Sequence, residues 1–342
     1  MAQQIQTVAV IGCGVIGMSW VSLFLSRGLK VIASDPVEGA EAACRRYVHD
    51  AWPSISKDKD LEQTLSGNFE FVPDVTARLQ EVDFIQEASP NNANTCSVLR
   101  SQYECANSTL QNGPERIEFK EELMQVLDRN ARPGVVIASS SSGLPSSKFI
   151  GRCQNDPSRI LIGHPFNPPH LIPLVEVVPH AGTNPQSAST ALEFYKALGK
   201  RPILIRHEFP GFVANRLQAA INNEAYSLIS RGIVSAEDLD AAITSGPGLR
   251  WALSGPIVTN ALGGGQGSSG FNSRIERLGP AIRGWEEDIR EHRFDWSDEK
   301  VVLLKEEAAK WLEKVKWSEL VEQRDTVLLD LLSAKAKAPS IV

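Results

Sequence analysis

Short apolar runs alternate with helical patterns along the first part of the chain. Helical periodicity follows most of these runs, for example after the first run through Leu25 and again between Asn184 and Leu198. The runs predicted to be buried strands are 7–11, 30–34, 69–72, 82–86, 135–138, 160–162, 171–178 and 202–205. This alternation predicts an α/β fold with a doubly wound, mostly parallel sheet.

The pattern changes after His207, where strands give way to helices alone. Helical periodicity begins again near Phe212, and amphipathic segments fill residues 285–332. We therefore expect a first, sheet-containing domain over residues 1–207 and an all-helical C-terminal domain over residues 208–342.

Two irregularities interrupt the first domain. Residues 37–66 look helical but interrupted, because Trp52-Pro53 and the charged residues 57–62 mark a break. After Glu87, a polar stretch at about 88–111 has no helical or strand period. We interpret it as a surface insertion. The alternative is that it is no part of the functional protein, for example a translated stretch normally removed from the message.

Composition and charge exclude several classes of function. The net charge of −6 and the lack of a basic patch argue against nucleic acid as a partner. No apolar run approaches the roughly 20 residues that cross a membrane, and the chain does not start with a secretory signal pattern. Five cysteines without metal-ligand spacing predict reduced thiols, no metal site and a cytoplasmic protein.

A glycine loop joins the first predicted strand to the first helix, with the sequence Gly12-Cys-Gly14-Val15-Ile16-Gly17. Gly12 allows a tight turn, Gly14 lets the backbone approach a pyrophosphate, and Gly17 lets the helix pack on the strand. The helix N-terminus, with Val15 and Ile16, adds free N–H groups and a positive potential. Strand, loop and helix in this order predict a Rossmann-type dinucleotide site.

The second predicted strand ends at Asp35, eighteen residues after Gly17. A carboxylate at this place suits a ribose 2′-hydroxyl. A 2′-phosphate would be repelled, and no arginine adjoins Asp35 to accommodate one. The sequence therefore predicts NAD rather than NADP as the cofactor.

A histidine and a glutamate lie on either side of a proline-rich bend. His164 ends one apolar run and Glu176 lies inside the next. A carboxylate is costly to bury without a partner, and His164 is the obvious candidate. Such a pair fixes the imidazole tautomer and supports the abstraction of a substrate proton. The alternative is a turn histidine and a surface glutamate on an edge strand.

The spacing of this stretch, His-x-Phe-Asn-Pro followed by Leu-Val-Glu, resembles the L-3-hydroxyacyl-CoA dehydrogenase family. The resemblance recurs in order at the glycine loop, at a serine run before His164 and at Pro-Gly-Phe-x-x-Asn after it, so it covers most of residues 5–265. It implies that His164 and Glu176 form the catalytic pair, that NAD accepts the hydride, and that two chains form a homodimer through the helical domain.

The resemblance also implies roles for polar residues outside that pair. Ser142 falls on the family's substrate-binding serine, although its neighbours Ser140 or Ser141 could take the role. Asn215 resembles the asparagine that donates a hydrogen bond to the substrate oxygen, and the alternative is an ordinary polar residue in a first helical turn.

Two charged residues after the insertion match family positions near the nicotinamide and the substrate. They are Glu115 and Lys120. The alternative for both is a charged side chain on the solvent face of a helix.

The sequence Gly-Leu-Arg250-Trp departs from the acyl-CoA enzymes of the family. It looks like the branch that contains lambda-crystallin, an L-gulonate 3-dehydrogenase, and carnitine 3-dehydrogenase. A guanidinium binds a carboxylate through two parallel hydrogen bonds, so Arg250 could hold a free hydroxy acid. The alternative is an arginine at the surface or in a dimer interface.

We therefore expect an NAD-dependent dehydrogenase that oxidises the 3-hydroxyl of an L-3-hydroxyacyl-CoA or of a small 3-hydroxy acid, or that runs in reverse. One alternative is a catalytically silent, crystallin-like structural or NAD-binding protein on the same scaffold. Another is a related reductase with a lysine acid, but no suitably placed lysine follows the Pro-Gly-Phe motif.

Overall fold

The computed structural model describes residues 5–56, 60–89 and 115–341, with only the backbone of residues 115 and 116. The predicted insertion at about 88–111 lies outside the described residues, apart from Ala88 and Ser89. The chain divides into two compact units, Met1–Asn215 and Arg216–Val342. The domain boundary at 207/208 stays a prediction.

Within the described residues of the first unit, eight strands form one sheet in the order β3-β2-β1-β4-β5-β6-β7-β8. All neighbouring strands are parallel except β6 and β7. The strands are β1 (Thr7–Ile11), β2 (Lys30–Ser34), β3 (Phe69–Val72), β4 (Phe84–Glu87), β5 (Val136–Ser139), β6 (Ile160–Pro165), β7 (Leu174–Val178) and β8 (Arg201–Leu204). The predicted doubly wound, mostly parallel sheet is confirmed.

Helices cover both faces of the sheet. They are α1 (Val15–Ser26), α2 (Ala40–Ile55), α3 (Leu61–Asn68), α4 (Glu115–Asn130) and α5 (Pro185–Ala197). Successive side chains of a strand point to opposite faces, and β1 accordingly sends Val8 into the core cluster under α1, α2, α3 and α5, and Ala9 into the cluster under α4. Burial on both faces explains why the strands are continuous apolar runs.

The bend between β6 and β7 accounts for the one antiparallel pair. Residues 166–173 are too few to form the crossover helix that two parallel strands need. The chain therefore folds straight back, and His164 pairs directly opposite Glu176 in the ladder.

The predicted break within residues 37–66 is confirmed, because α2 ends at Ile55 and α3 begins at Leu61. Pro53 itself lies inside α2, in its last turn. A 3₁₀ helix, Thr76–Glu81, precedes β4.

The second unit is helical. Its helices are α6 (Ala214–Ser230, which begins in the first unit), α7 (Ala236–Thr244), α8 (Pro247–Gly264), α9 (Gly267–Glu291), α10 (Asp298–Leu312) and α11 (Trp317–Ala336). Helices α7, α8, α10 and α11, all within the described residues, contain no buried residue. Across the described part of the chain, none of the helices combines the length and apolar character that crossing a membrane requires.

Candidate active site

The carboxyl ends of the parallel strands bring the predicted site residues of the first unit to one edge of the sheet. Gly12 follows β1, Asp35 follows β2, and His164 lies at the end of β6. In a doubly wound sheet, ligands bind outside these ends, where the strand order reverses. Here the order reverses between β1 and β4.

His164 and Glu176 form a buried hydrogen-bonded pair. His164 Nδ1 lies 2.8 Å from Glu176 Oε2, and the two residues are 5% and 0% exposed. Glu176 lies on β7, which β8 separates from the edge of the sheet. The alternative of a surface glutamate on an edge strand is therefore wrong. Within the described part of the chain, His164 Nε2 has no hydrogen-bond partner, so it is the ring atom left for a ligand.

The second carboxylate oxygen of Glu176 caps the start of α6. Glu176 Oε1 accepts hydrogen bonds from the backbone N–H groups of Val213 and Ala214, each at 3.0 Å. The turn that aims these groups needs two residues in left-handed backbone geometry, Gly211 at φ 78° and Phe212 at φ 49°. Glycine adopts this geometry readily. Phe212 is strained there and is held by complete burial in the core.

These contacts set the charge state of Glu176. Burial acts to raise the pKa of the carboxyl group, but the hydrogen bond from His164, the N–H groups of Ala214 and Val213 and the charge of His164 together outweigh it. The pKa of Glu176 therefore lies below its ordinary value, and the carboxylate stays ionised beside the imidazole. An anion at a helix N-terminus is further stabilised by the helix dipole.

The structure distinguishes among the four serines after β5. Ser139 donates to Glu87 Oε2 at 2.6 Å, Ser140 accepts from the side-chain amide of Gln86 at 2.9 Å, and Ser141 donates to the carbonyl of Leu144 at 3.0 Å. Ser142 is exposed. Among the described residues, its hydroxyl is the one in the run without an internal partner, which is what the predicted substrate-binding serine requires.

Asn215 lies in the first turn of α6 and contacts the serine run. Its side-chain amide donates to the backbone carbonyl of Ser142, and Gly211 N donates to Gly143 O at 3.0 Å. These bonds hold the Pro-Gly-Phe turn against the loop after β5. Because a side-chain amide has two N–H donors, the second one of Asn215 remains for a ligand.

The glycine loop has the geometry that a dinucleotide needs. Gly12 has φ 92°, and a Cβ on it would lie 2.6 Å from the backbone of Ser89. A Cβ on Gly17 would lie 1.8 Å from Gly12 O, whereas a Cβ on Gly14 would have nothing within 4 Å. The open space therefore lies at Gly14, the N-cap of α1, which has no side-chain cap. The first N–H groups of α1, those of Val15, Ile16 and Gly17, make no helical hydrogen bond and suit a pyrophosphate.

Asp35 is buried and tied to the same loop. Its Oδ2 accepts from Cys13 N at 2.7 Å, and its Oδ1 accepts from Val37 N at 2.9 Å. Each carboxylate oxygen can accept a second hydrogen bond. Asp35 can therefore still accept hydrogen bonds from the hydroxyl groups of a ribose.

Lys120 is buried in an ion pair with Glu87, a residue that the sequence analysis did not assign to the site. The distance from Lys120 Nζ to Glu87 Oε2 is 3.0 Å, and Lys120 is 3% exposed. The alternative interpretation of Lys120, a charged side chain on the solvent face of a helix, is therefore wrong. The side chain of Glu115 lies outside the described residues. The sequence contains a signal for Glu87, because this carboxylate directly follows the predicted strand over 82–86.

Arg250 lies in the second unit, exposed, in the first turn of α8. Its role toward a substrate carboxylate stays a prediction.

The comparisons with known proteins agree with this arrangement. Residues 7–104 and 106–208 match the family model "3-hydroxyacyl-CoA dehydrogenase, NAD binding domain", and residues 211–277 match "3-hydroxyacyl-CoA dehydrogenase, C-terminal domain". A Gibberella moniliformis protein named 3-hydroxyacyl-CoA dehydrogenase is 62% identical over 100% of this chain and 98% of its own length. An L-carnitine dehydrogenase of Streptomyces coelicolor is 38% identical over 82% of this chain and 80% of its own length.

A solved structure shares the fold. The NAD⁺-dependent dismutase FHMPC 5-dehydrogenase superposes with a TM-score of 0.69 at 22% identity, covering 97% of this chain and 99% of the other. The family expected from the sequence motifs is confirmed, as is NAD as the cofactor. None of these relatives supports the catalytically silent alternative. The chain belongs to the 3-hydroxyacyl-CoA dehydrogenase family and is an NAD-dependent oxidoreductase of that family.

Proposed function

We propose that the chain oxidises the 3-hydroxyl of an L-3-hydroxyacyl-CoA or of a small 3-hydroxy acid to the 3-keto compound, or catalyses the reverse reaction. The observation that carries the proposal is the buried His164–Glu176 pair at the carboxyl edge of the NAD-binding sheet. Oxidation of a CH–OH group removes one proton and one hydride. The geometry offers a general base for the proton beside a cofactor site for the hydride.

His164 acts as the general base. The carboxylate of Glu176 favours the tautomer with hydrogen on Nδ1, so the lone pair on Nε2 accepts the proton of the substrate hydroxyl. Glu176 keeps the ring oriented and stabilises the imidazolium that forms. Bound NAD⁺ supplies the acceptor for the hydride from C3. The O–H and C–H bonds break, and the carbonyl forms.

Ser142 and Asn215 hold the reacting oxygen. The hydroxyl of Ser142 and the second amide proton of Asn215 are the donors left over once the internal hydrogen bonds are counted. Two donors at one oxygen fix its direction toward His164 and stabilise charge that develops on it.

The cofactor is held by backbone and carboxylate groups. In this proposal the N–H groups of Val15, Ile16 and Gly17 bind the pyrophosphate, and Asp35 accepts from the ribose hydroxyls. Lys120 donates at the nicotinamide end, where Glu115 is also assigned by the family resemblance.

The substrate class is tested with a panel. Reduction of NAD is followed with 3-hydroxybutyryl-CoA, free 3-hydroxybutyrate, L-gulonate and L-carnitine. Turnover of at least one of these that is lost in His164→Gln supports the proposal. A full-length protein that binds NADH and turns over none of them would overturn it in favour of a silent NAD-binding protein.

Arg250 separates the two substrate classes in the same panel. If a free carboxylate is the natural substrate end, Arg250→Gln raises the KM for the free acids and leaves the KM for the thioester unchanged. The relatives include named enzymes for both classes, which is why the panel contains both.

We further propose a cytoplasmic homodimer formed by the helical unit. Large apolar side chains are exposed there, among them Trp285, Trp296 and Ile257, at 61%, 66% and 63%. Exposed apolar surface of this extent is typical of an interface between chains. Light scattering of the full chain gives twice the chain mass if the proposal holds, and the mass of one chain if it does not.

A further inference from the structure

The buried pair of Glu87 and Lys120 lies where the strand order of the sheet reverses. Glu87 is the last residue of β4, and it pairs in register with Ile11, which directly precedes the glycine loop. The order reverses between β1 and β4, so the crevice for a dinucleotide opens at this residue.

The chain around Glu87 is also fastened to the glycine loop. Ala88 N donates to Ile11 O at 2.7 Å, and the missing Cβ of Gly12 lets the backbone of Ser89 approach it closely. Ser140 N donates to Glu87 O at 2.7 Å. The loop, the serine run and Glu87 therefore form one connected unit.

The hydrogen bonds of Glu87 leave it no capacity for a ligand. Oε1 accepts from Ser89 N at 2.9 Å and from Lys120 Nζ at 3.3 Å. Oε2 accepts from Ser139 Oγ at 2.6 Å and lies 3.0 Å from Lys120 Nζ. Three hydrogen bonds and one ion-pair contact therefore surround the two oxygens, and Glu87 is 0% exposed. Glu87 is thus neither a base nor a ligand group.

Lys120, in contrast, keeps a donor that no group in the described part of the chain accepts. An ammonium has three N–H groups, and Glu87 receives at most two of them. Nζ also lies 5.4 Å from the centre of the Phe149 ring, which fixes the ammonium on a second side. The ion pair and the ring together restrain the ammonium at the reversal point of the sheet.

We propose that Glu87 is a positioning residue that holds the Lys120 ammonium toward the bound dinucleotide. A buried ion pair is a poor device for stability, because desolvation offsets most of the attraction, whereas it defines a direction well. The inference rests on the proposed function, which places NAD at this edge and Lys120 at its nicotinamide end.

The test is a double-mutant cycle on NADH binding, measured by fluorescence titration of the full chain. The variants are Glu87→Gln, Lys120→Met and the two combined. Because Glu87 acts through the ammonium, each single change raises the Kd for NADH about tenfold, and the double variant binds as Lys120→Met does, without a further rise. An unchanged Kd in Glu87→Gln, or effects that multiply in the double variant, would overturn the inference.

A matched control comes from a second buried ion pair. Arg159 and Asp128 are 2% and 1% exposed. The distance from Arg159 Nη2 to Asp128 Oδ1 is 3.2 Å. Asp128→Asn lowers the melting temperature without changing the Kd for NADH. If it raises the Kd as Glu87→Gln does, the effect is a general loss of structure, and the inference fails.

A milder variant covers the case in which Glu87→Gln does not fold. Ser139→Ala removes one hydrogen bond to Glu87 and leaves the ion pair, so the Kd for NADH rises about threefold. An unchanged Kd in this variant would overturn the inference. The substrate panel measures turnover of the wild type separately. If the proposed reaction is not observed there, the double-mutant cycle on NADH binding still tests the role of Glu87.

Discussion

The two edges of the sheet contain similar buried charges, and they differ in whether an unused hydrogen-bonding group lies where a ligand binds. Near the start of β6, the guanidinium of Arg159 donates to Asp128 and to the backbone carbonyls of residues 128, 131 and 132. All of these partners lie in the loop between α4 and β5 or at the end of α4. At the carboxyl edge, His164 and Lys120 each keep one polar group that the described chain does not use.

This contrast distinguishes a structural ion pair from one that serves a ligand. Burial is the same at both edges, so burial alone does not identify a site. Arg159 also has an unused donor, since its Nε is buried without a hydrogen-bond partner within the described residues. What differs is that the unused groups of His164 and Lys120 lie at the edge of the sheet where a dinucleotide binds. The contrast predicts large kinetic effects at the carboxyl edge and effects on stability at the other.

The largest expected effect is at His164. In His164→Gln, kcat falls about a thousandfold because the general base is lost, while the Kd for NADH stays unchanged. Steady-state kinetics and NADH titration measure the two quantities. The matched control is His180→Gln, since His180 contacts Pro157 O near the start of β6. Equal losses of kcat in both variants would break the contrast.

Asp128→Asn tests the opposite edge. It leaves Arg159 buried and unpaired and lowers the free energy of unfolding by about 3 kcal/mol, with kcat unchanged. Denaturant unfolding and a turnover assay at a temperature where the variant is folded check both parts. A fall in kcat of the folded variant would show that this edge also serves catalysis.

A smaller effect separates the serines. Ser142→Ala lowers kcat/KM about tenfold, the loss of one hydrogen bond in the transition state. Ser141→Ala removes a hydroxyl that bonds to Leu144 and leaves kcat/KM unchanged in the folded enzyme. The reverse order would assign the substrate-binding role to Ser141.

The pH dependence of stability gives the smallest effect. The pKa of Glu176 is lower in the folded chain than its ordinary value of about 4.5, so the folded state binds fewer protons there than the unfolded state. Its stabilising contribution is therefore complete above that value and is lost as the pH falls through the folded pKa. The slope is at most about 1.4 kcal/mol per pH unit.

Comparison with Glu176→Gln isolates this contribution. The difference in unfolding free energy between wild type and Glu176→Gln shrinks on acidification. A difference for Glu176→Gln that does not change with pH would contradict an ionised, hydrogen-bonded Glu176.

Much of the fold was predictable because the strands are buried on both faces. Apolar runs such as Thr7–Ile11 and Lys30–Ser34 agree with the strands residue by residue. The C-terminal domain was predicted to be helical, but the bounds of its helices over 247–284 were not, because glycine and proline interrupt the pattern. Gly255 takes φ 62° at a kink, and Pro256 follows as the first residue of the next helical stretch, where proline is well tolerated.

The site was partly predictable for a similar reason. Glu176 stood out as a carboxylate inside an apolar run, and its partner followed from the bend. Glu87 directly follows the predicted strand over 82–86 but was missed, because its partner Lys120 lies 33 residues away on the far side of the polar insertion. The choice among four adjacent serines depends on which hydroxyls the fold consumes, and a sequence does not contain that information.

The most direct test of the central claim is the tautomer of His164. Nitrogen-15 NMR of histidine-labelled protein, assigned with His164→Gln and recorded where the imidazole is neutral, distinguishes a proton on Nδ1 from one on Nε2. The account predicts hydrogen on Nδ1, donated to Glu176, and a bare Nε2. Hydrogen on Nε2 would contradict it, because no lone pair would then face the substrate.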